Sequence, residues 1–255
     1  MKHPISAVII TLNEEQAIEQ CLAALRWCDE IVVVDSGSTD RTVEICRANG
    51  CSVHQRKFDG YGPQKRWAVS LAHHDWILSV DADEVISDSL RDEIVRELDA
   101  AELIWDGLLI PRTMVFLGRE FRHGSEHRYP SLRLFNRQRG NFTDARVHEG
   151  VEVAGRTKQL AGRMLHYSYR DLHQYFEKFN RYTSAAAEEL FREGRHKSLW
   201  GVFFALPVNF LKHYLLRRNL FNGYPGLVWS VLSSYYPLVK YLKLRDLERT
   251  RRPAA

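Results

Sequence analysis

Ile31-Val32-Val33-Val34-Asp35-Ser36-Gly37-Ser38-Thr39-Asp40 is the stretch on which the fold turns. Four β-branched residues in a row suit a strand covered on both faces, the kind that parallel sheets contain. The run stops on a carboxylate and enters a turn of Ser, Gly and Ser, where Ser38 or Thr39 can cap a helix carrying Val43 and Cys46. The same alternation repeats on both sides. Ile5 to Thr11 is a strand-length apolar run, followed by Ile18, Leu22 and Leu25 at helical spacing. Cys51 to His54 reads as a short third strand, and Pro63 suits the start of a helix bearing Trp67 and Leu71. Trp76 to Val80 is a fourth strand, and Ser87 can cap a helix with Leu90, Ile94 and Leu98 on one face. Strands alternating with helices predict a parallel sheet flanked by helices.

Beyond Leu108 the pattern loosens into short strands such as Leu132 to Phe135 and Val151 to Val153, which predicts a mixed sheet with long loops. From Asp171 to about Arg192, Leu172, Tyr175, Phe176, Phe179, Tyr182, Ala186 and Leu190 return to helical spacing. Across 255 residues, 45% are hydrophobic and 11% aromatic, which excludes a disordered polypeptide, a collagen-like repeat and a small disulfide scaffold. Cys21, Cys28, Cys46 and Cys51 lack paired zinc spacing and read as buried free thiols of a reducing compartment. The apolar run after Pro4 meets Asn13, Glu14 and Glu15 too soon for a signal peptide or a membrane span.

Charge is unevenly spread. Residues 195–255 hold 11 Lys and Arg against 2 Asp and Glu, whereas the first 194 hold 25 against 30. Within that basic tail, Leu199 to Leu211 is apolar and aromatic but interrupted by Pro207, and Gly226 to Leu242 holds Trp229, Tyr235 and Tyr236. A spanning helix needs about 20 apolar residues, and neither run reaches that without a break. Flanked by Lys and Arg, such runs suit helices lying in the headgroup region of a membrane, or alternatively a helical appendage packed on the body.

Ligands of open α/β sheets bind beyond the carboxyl ends of the strands. Those ends present Thr11, Asn13 and Glu14, then Asp35, Ser36, Gly37, Ser38 and Asp40, then Asp81, Asp83 and Glu84. The step Asp81-Ala82-Asp83 can aim two carboxylates to one side, and such oxygen donors suit Mg²⁺ or Mn²⁺, which keep positions open for substrate phosphates. In an arbitrary sequence D-x-D is more often a solvated turn; its position directly after Trp76 to Val80 gives it weight here. Neither G-x-G-x-x-G after the first strand nor G-x-x-x-x-G-K-[ST] occurs, so a phosphate is left to a cation and side chains. Lys65 and Arg66, near a helix start whose dipole favours anions, are candidates, with an exposed basic pair as the alternative. Arg112, Arg119, Arg122, His123, Arg128, Arg133, Arg137, Arg139 and Arg146 crowd one loosely patterned region, for which a solvated face is the usual explanation and an anion-binding surface the alternative.

Taken together, Ile9 to Glu15, Ile31 to Asp40, Gly62 to Ala68 and Asp81-Ala82-Asp83-Glu84 resemble the inverting family 2 glycosyltransferases of the GT-A fold. Val147-His148-Glu149-Gly150, then Leu165 to Leu172 and the aromatic, basic tail are similar to the branch containing lipopolysaccharide core glucosyltransferases of the WaaE type. The resemblance implies a GT-A type, Rossmann-like mixed sheet flanked by helices with a C-terminal helical amphipathic appendage. It implies a catalytic domain over 1–194, with a nucleotide-binding half to about 105 and an acceptor half after it, and a membrane-associating tail over 195–255. The implied activity is metal-dependent transfer of a hexose, glucose from UDP-glucose, to a heptose of the lipopolysaccharide inner core, at the cytoplasmic face of the inner membrane.

By the same resemblance, Thr11, Asn13, Glu14, Asp35, Ser36 and Gly37 bind the uridine, with Asp35 accepting from the uracil, and Lys65 and Arg66 lie near the nucleotide. Asp81 faces the ribose or the metal's water shell, Asp83 coordinates Mg²⁺ or Mn²⁺, and His166 either completes the metal shell or is structural. Glu149 is the implied general base, at a point where many relatives have Glu-Asp and this sequence has His148-Glu149. The implied partners are a UDP-sugar, a lipopolysaccharide core or lipid-linked acceptor, and a membrane surface, with no nucleic acid. Rival readings are transfer to a polyprenyl phosphate, a non-catalytic membrane or partner-binding module of the same fold, and a metal phosphohydrolase using Asp81 and Asp83.

Overall fold

The computed structural model describes residues 3–145, 150–169, 171–195 and 198–251. Its contacts define two units: residues up to Thr113 with Arg128–His166, and Met114–His127 with everything from Tyr167 onward. Arg146, Val147, His148, Glu149 and Arg170 lie outside the described residues.

The first unit begins with β1 (Ile5–Thr11), α1 (Ile18–Ala23), β2 (Glu30–Asp35), α2 (Thr42–Ala48), β3 (Ser52–Gln55), α3 (Tyr61–Leu71) and β4 (Trp76–Ser79). Next come β5 (Glu84–Ile86), α4 (Asp88–Leu98) and β6 (Gly107–Phe116), whose last three residues enter the second unit, where β7 (Arg119–Glu120) pairs with them. The first unit then resumes with β8 (Tyr129–Asn136), β9 (Gly140–Phe142), β10 (Val151–Val153), β11 (Thr157–Gln159) and β12 (Met164–His166). The main sheet runs β3-β2-β1-β4-β8-β6-β12-β5. β1 to β4 are mutually parallel, and β8 turns the sheet antiparallel against β4 and β6. This is the mixed, helix-flanked sheet of the GT-A type expected from the sequence.

Alternation along the strands sets the two faces. Ile5, Ala7 and Ile9 of β1 pack with Ile18, Cys21 and Leu22 of α1 and with Leu90, Ile94 and Leu98 of α4. Val8, Val32 and Val34 pack on the other face against Ala68 and Val69 of α3 and against Phe135 and Phe142. Ser87 caps α4 as expected, its Oγ accepting from the Leu90 amide at 3.3 Å. The Ser38 or Thr39 cap is a correction. Helix α2 begins only at Thr42, because the Ser38 hydroxyl is committed to the loop, accepting from the Asn13 amide while donating to Asp35, and the helix start is held instead by Asp40, which accepts from the Thr42 amide at 3.0 Å. All four cysteines are free thiols, and burial pushes Cys46 to about 12 and Cys51 to about 11, which keeps both protonated and unreactive.

The second unit holds α5 (Leu172–Arg192), α6 (Leu199–Leu211), a π turn (Lys212–Leu216), a 3-10 turn (Asn219–Asn222) and α7 (Gly223–Arg251). The 172–192 helix, which the resemblance groups with the catalytic body, packs here: Ala187 and Leu190 meet Leu244 of α7. Phe116, Phe121 and Tyr175 form its aromatic core with Trp229 packed against them. Helix α7 outruns the apolar stretch 226–242 because the charged residues after it are good helix formers. Among the described residues no helix is long and apolar enough to cross a membrane. Trp200 is 76% exposed, Phe204 70% and Leu216 80%, and Phe203, Val208, Leu211 and Leu215 are exposed with them.

Candidate functional site

The strand order reverses between β2 and β4 on either side of β1, so the loops after these three strands converge on one crevice edge of the sheet. Two of them are stitched together. Asn13, at φ 56°, donates its amide to Ser38 Oγ at 2.9 Å, and its side-chain oxygen accepts from the Thr39 amide at 2.8 Å. Glu14 donates its amide to Thr42 Oγ1 at 2.8 Å and Glu15 donates to Asp40 Oδ2 at 3.1 Å. Burial works against the charge on Asp40, but bonds from Thr42 and Glu15 outweigh it and hold its carboxyl below the usual range. Asp35 is fully buried, and its Oδ2 accepts from the amides of Gly37 at 2.9 Å and Ser38 at 3.0 Å. Asp35 thus shapes the loop that carries Ser36 and Gly37, where glycine fits the φ of 100°. Ser36 Oγ accepts from the buried Gln64 of α3 at 3.2 Å, and Thr11 is buried at the end of β1.

The turn after β4 splits its two aspartates. Asp81 Oδ1 meets Lys65 Nζ at 2.9 Å, and Asp81 Oδ2 meets Arg133 Nη2 at 2.9 Å. The same Arg133 nitrogen reaches Glu84 Oε1 at 2.9 Å, and Arg112 Nη1 stands 3.4 Å from that oxygen. Glu84 Oε2 accepts from the Asp81 amide at 2.9 Å, closing the turn. Glu84 is fully buried, and Lys65 and Arg133 are nearly so. Burial penalises the Asp81 charge, but Arg133 and then Lys65 overcome it and hold this carboxyl well below the ordinary range. Glu84 goes the other way: burial pushes it up, Arg133 opposes, and the nearby Asp81 charge pushes it up further. Arg133 and Glu84 together with Lys65 are therefore the electrostatic frame of the site, whereas sequence alone leaves Arg133 and Arg112 in a general basic region.

Asp83 faces elsewhere. Its Oδ2 lies 3.3 Å from His166 Nε2, both groups being 22% exposed. The register of β12 on β5, which sets His166 opposite Glu84, makes this meeting. An oxygen and an imidazole nitrogen at the mouth of the site fit a hard or borderline divalent ion such as Mg²⁺ or Mn²⁺ that draws its remaining donors from phosphate and water. Among the described residues no three His, Cys, Asp or Glu side chains gather to hold a metal by themselves. Of the expected trio, Asp81 has both oxygens occupied by cationic groups, whereas Asp83 and His166 face each other.

Lys65 and Arg66, adjacent in sequence, also part. Arg66 donates to the Phe142 carbonyl at 2.9 Å and pairs with Asp144 at 3.2 Å. Gly62 lies against that same segment, its amide bonded to the Ala145 carbonyl at 3.1 Å. A Cβ on Gly62 would press on the backbone oxygens of Thr143 and Ala145. Gly62→Ala is expected to cost about 1–3 kcal/mol as an overpacked contact, measured by urea unfolding. Thr143 and Gly150 bond at 2.8 Å across the segment that contains Glu149, the expected base, itself outside the described residues. Of the other arginines in the basic region, Arg128, Arg137 and Arg139 bond to Ala161, Ala72 and Asp106 within the first unit, so that density is in large part structural.

Comparison with known proteins adds to this geometry. The model of glycosyl transferase family 2 matches residues 6–157. The lipopolysaccharide core biosynthesis glycosyltransferase LpsC of Rhizobium meliloti is 30% identical, covering 95% of this sequence and 92% of its own. An uncharacterized glycosyltransferase of Rickettsia typhi is 31% identical over 95% of this sequence and 87% of its own. Among solved structures, S. aureus TarS 1–349 in complex with UDP-GlcNAc is 18% identical over 97% of this sequence and 91% of its own, with a TM-score of 0.48.

Proposed function

The protein belongs to glycosyltransferase family 2, and we propose that it is an inverting, metal-dependent enzyme transferring glucose from UDP-glucose to a heptose of the lipopolysaccharide inner core. The observation that carries this reading is the gathering of Lys65, Asp81, Arg133, Asp83 and His166 around the turn after β4. Fixed cations and carboxylates at that edge suit a sugar nucleotide, whose diphosphate is the charged part of the ligand. The likeness to LpsC over nearly the whole length supports the choice of acceptor.

In this reading the loops carrying Thr11, Asn13 and Glu14 and carrying Asp35, Ser36 and Gly37 wall the uridine. Lys65 and Arg66 flank the nucleotide, and Asp81, kept ionised by Lys65 and Arg133, faces the ribose. Asp83 and His166 would hold a divalent cation, which when bound offsets charge developing on the departing diphosphate. Glu149 takes the proton of the acceptor hydroxyl, which is a poor nucleophile near neutral pH without a base. A single in-line displacement inverts the anomeric centre. Residues 1–194 form the catalytic part in this proposal. Residues 195–255 hold the enzyme to the cytoplasmic face of the inner membrane, where the exposed apolar groups of α6 and the basic residues beside them meet anionic lipid.

Titration of UDP into the protein with Mg²⁺ or Mn²⁺, then with EDTA, tests the donor site. Affinity is expected to weaken about 10-fold or more in EDTA and in Asp83→Asn, since a direct ligand should matter at least as much as its outer partners. UDP binding indifferent to both changes would sink the reading. Turnover of UDP-glucose with deacylated core acceptors then tests the acceptor.

A further inference from the structure

The second unit contains a half-open cavity of about 230 Å³ between α5, the π turn and α7, lined by Tyr169, Tyr175, Phe179, Trp229 and Tyr236 with His213 at one side. We propose that this cavity is a binding site for the hydrocarbon tail of an anionic amphiphile. Trp229 Nε1 and His213 Nδ1 have no hydrogen-bond partner among the described residues and are shielded from water, so both lie behind the wall rather than on its surface. The remainder of the wall is almost wholly aromatic.

The chemistry narrows the occupant. A sugar can stack its C–H face on such rings but needs partners for its hydroxyls around the edge, and this wall is mostly apolar. The Tyr236 hydroxyl already donates to the Tyr182 carbonyl at 3.4 Å. A cationic ligand competes with residents, since Lys178 lies 5.4 Å over the Tyr169 ring and Arg181 5.5 Å over Tyr182. Burial, then the neighbouring Arg217, holds His213 below its ordinary range and so uncharged, and burial raises Tyr169 to about 12. Around His213 the cations Arg217 and Lys212 outnumber the nearby carboxylate of Glu126. An apolar tail with a negative head fits both the lining and this charge. The π turn that carries His213 also exposes Leu215 and Leu216.

The full-length protein titrated with 11-bromoundecanoate below its micelle concentration is expected to show saturable quenching of tryptophan fluorescence, most of which disappears in Trp229→Phe. Ser233 lines the same cavity. Ser233→Phe should fill it and weaken binding by about 10-fold or more, the equivalent of two displaced methylenes. Wild-type quenching in a Ser233→Phe protein with unchanged circular dichroism overturns the proposal. If that variant does not fold, the wild type decides: an undecanoate with a terminal diazirine should label α5 or α7, and labelling confined to 199–211 overturns it. Competition by phosphatidylglycerol vesicles identifies a bilayer lipid as the source, and competition by farnesyl phosphate identifies a lipid-linked acceptor. Displacement by inorganic phosphate alone overturns the claim that the hydrocarbon is what is bound. UDP titration in the same samples reports on the first unit separately, so failure of this site and failure of the donor site are distinguishable.

Discussion

Arg133→Met is expected to destabilise the protein by about 3–5 kcal/mol, because it strands a buried carboxylate whose shortest cationic contact among the described residues is Arg133. Glu84 has no solvent exposure, and its remaining cation, Arg112, stands at 3.4 Å. Asp81 keeps Lys65 but loses the partner of its second oxygen. The pH dependence has a definite sign. Glu84 sits above its unfolded value of about 4.3, so its contribution favours folding at low pH and is lost as pH rises; without Arg133 that loss deepens. The deficit of the variant should therefore shrink between pH 7 and about pH 4.5. Asp81 is held below its unfolded value of about 3.9, so its contribution is present above that pH and is lost as pH falls through the folded value; weakening it brings acid unfolding to a higher pH. Urea unfolding at the two pH values checks both limbs. A double variant, Arg133→Met with Glu84→Leu, should recover part of the loss, since an apolar pair of similar volume avoids the desolvation that an unpaired charge suffers. A loss below about 1 kcal/mol in the single variant would mean the network is solvated and worth no more than a surface pair.

That network marks the boundary of what the linear sequence discloses. β1, β2 and β4 are legible because each is an apolar run of strand length, and α4 because a capping serine precedes three apolar residues at helical spacing. The carboxylates at the strand ends follow from strand polarity. Arg133 does not follow, since its partner Asp81 lies 52 positions away and is reached only through the antiparallel pairing of β8 beside β4. The role of His166 stays open in the sequence for the same reason: three residues of β12 carry no periodicity, and only their register on β5 brings the imidazole to Asp83. The Ser38 cap fails through local competition, because the Asn13 amide takes the oxygen a cap would use while the hydroxyl donates to buried Asp35. Charge density misleads in a similar way among the arginines, where groups that look like an acceptor surface are largely bonded to carbonyls and carboxylates of their own unit.

Glu149→Gln is expected to lower kcat by about 10²- to 10⁴-fold while leaving UDP affinity and unfolding midpoint near wild type. The amide keeps the size and polarity of the carboxylate it replaces but cannot take a proton. In free-energy terms this is about 2.7–5.5 kcal/mol of barrier, with no matching loss of ground-state binding. Asp83→Asn differs in kind, since it should weaken nucleotide binding as well as turnover. The contrast between the two variants is informative because the two groups have different proposed roles, Asp83 toward the cation and nucleotide and Glu149 toward the acceptor proton. The acid limb of the kcat profile should also disappear in Glu149→Gln, because that limb reports protonation of the base. If kcat falls less than about 10-fold and the acid limb persists, the proton is taken elsewhere, and His148, the neighbouring departure from the glutamate-aspartate pair of many relatives, is the next group to replace.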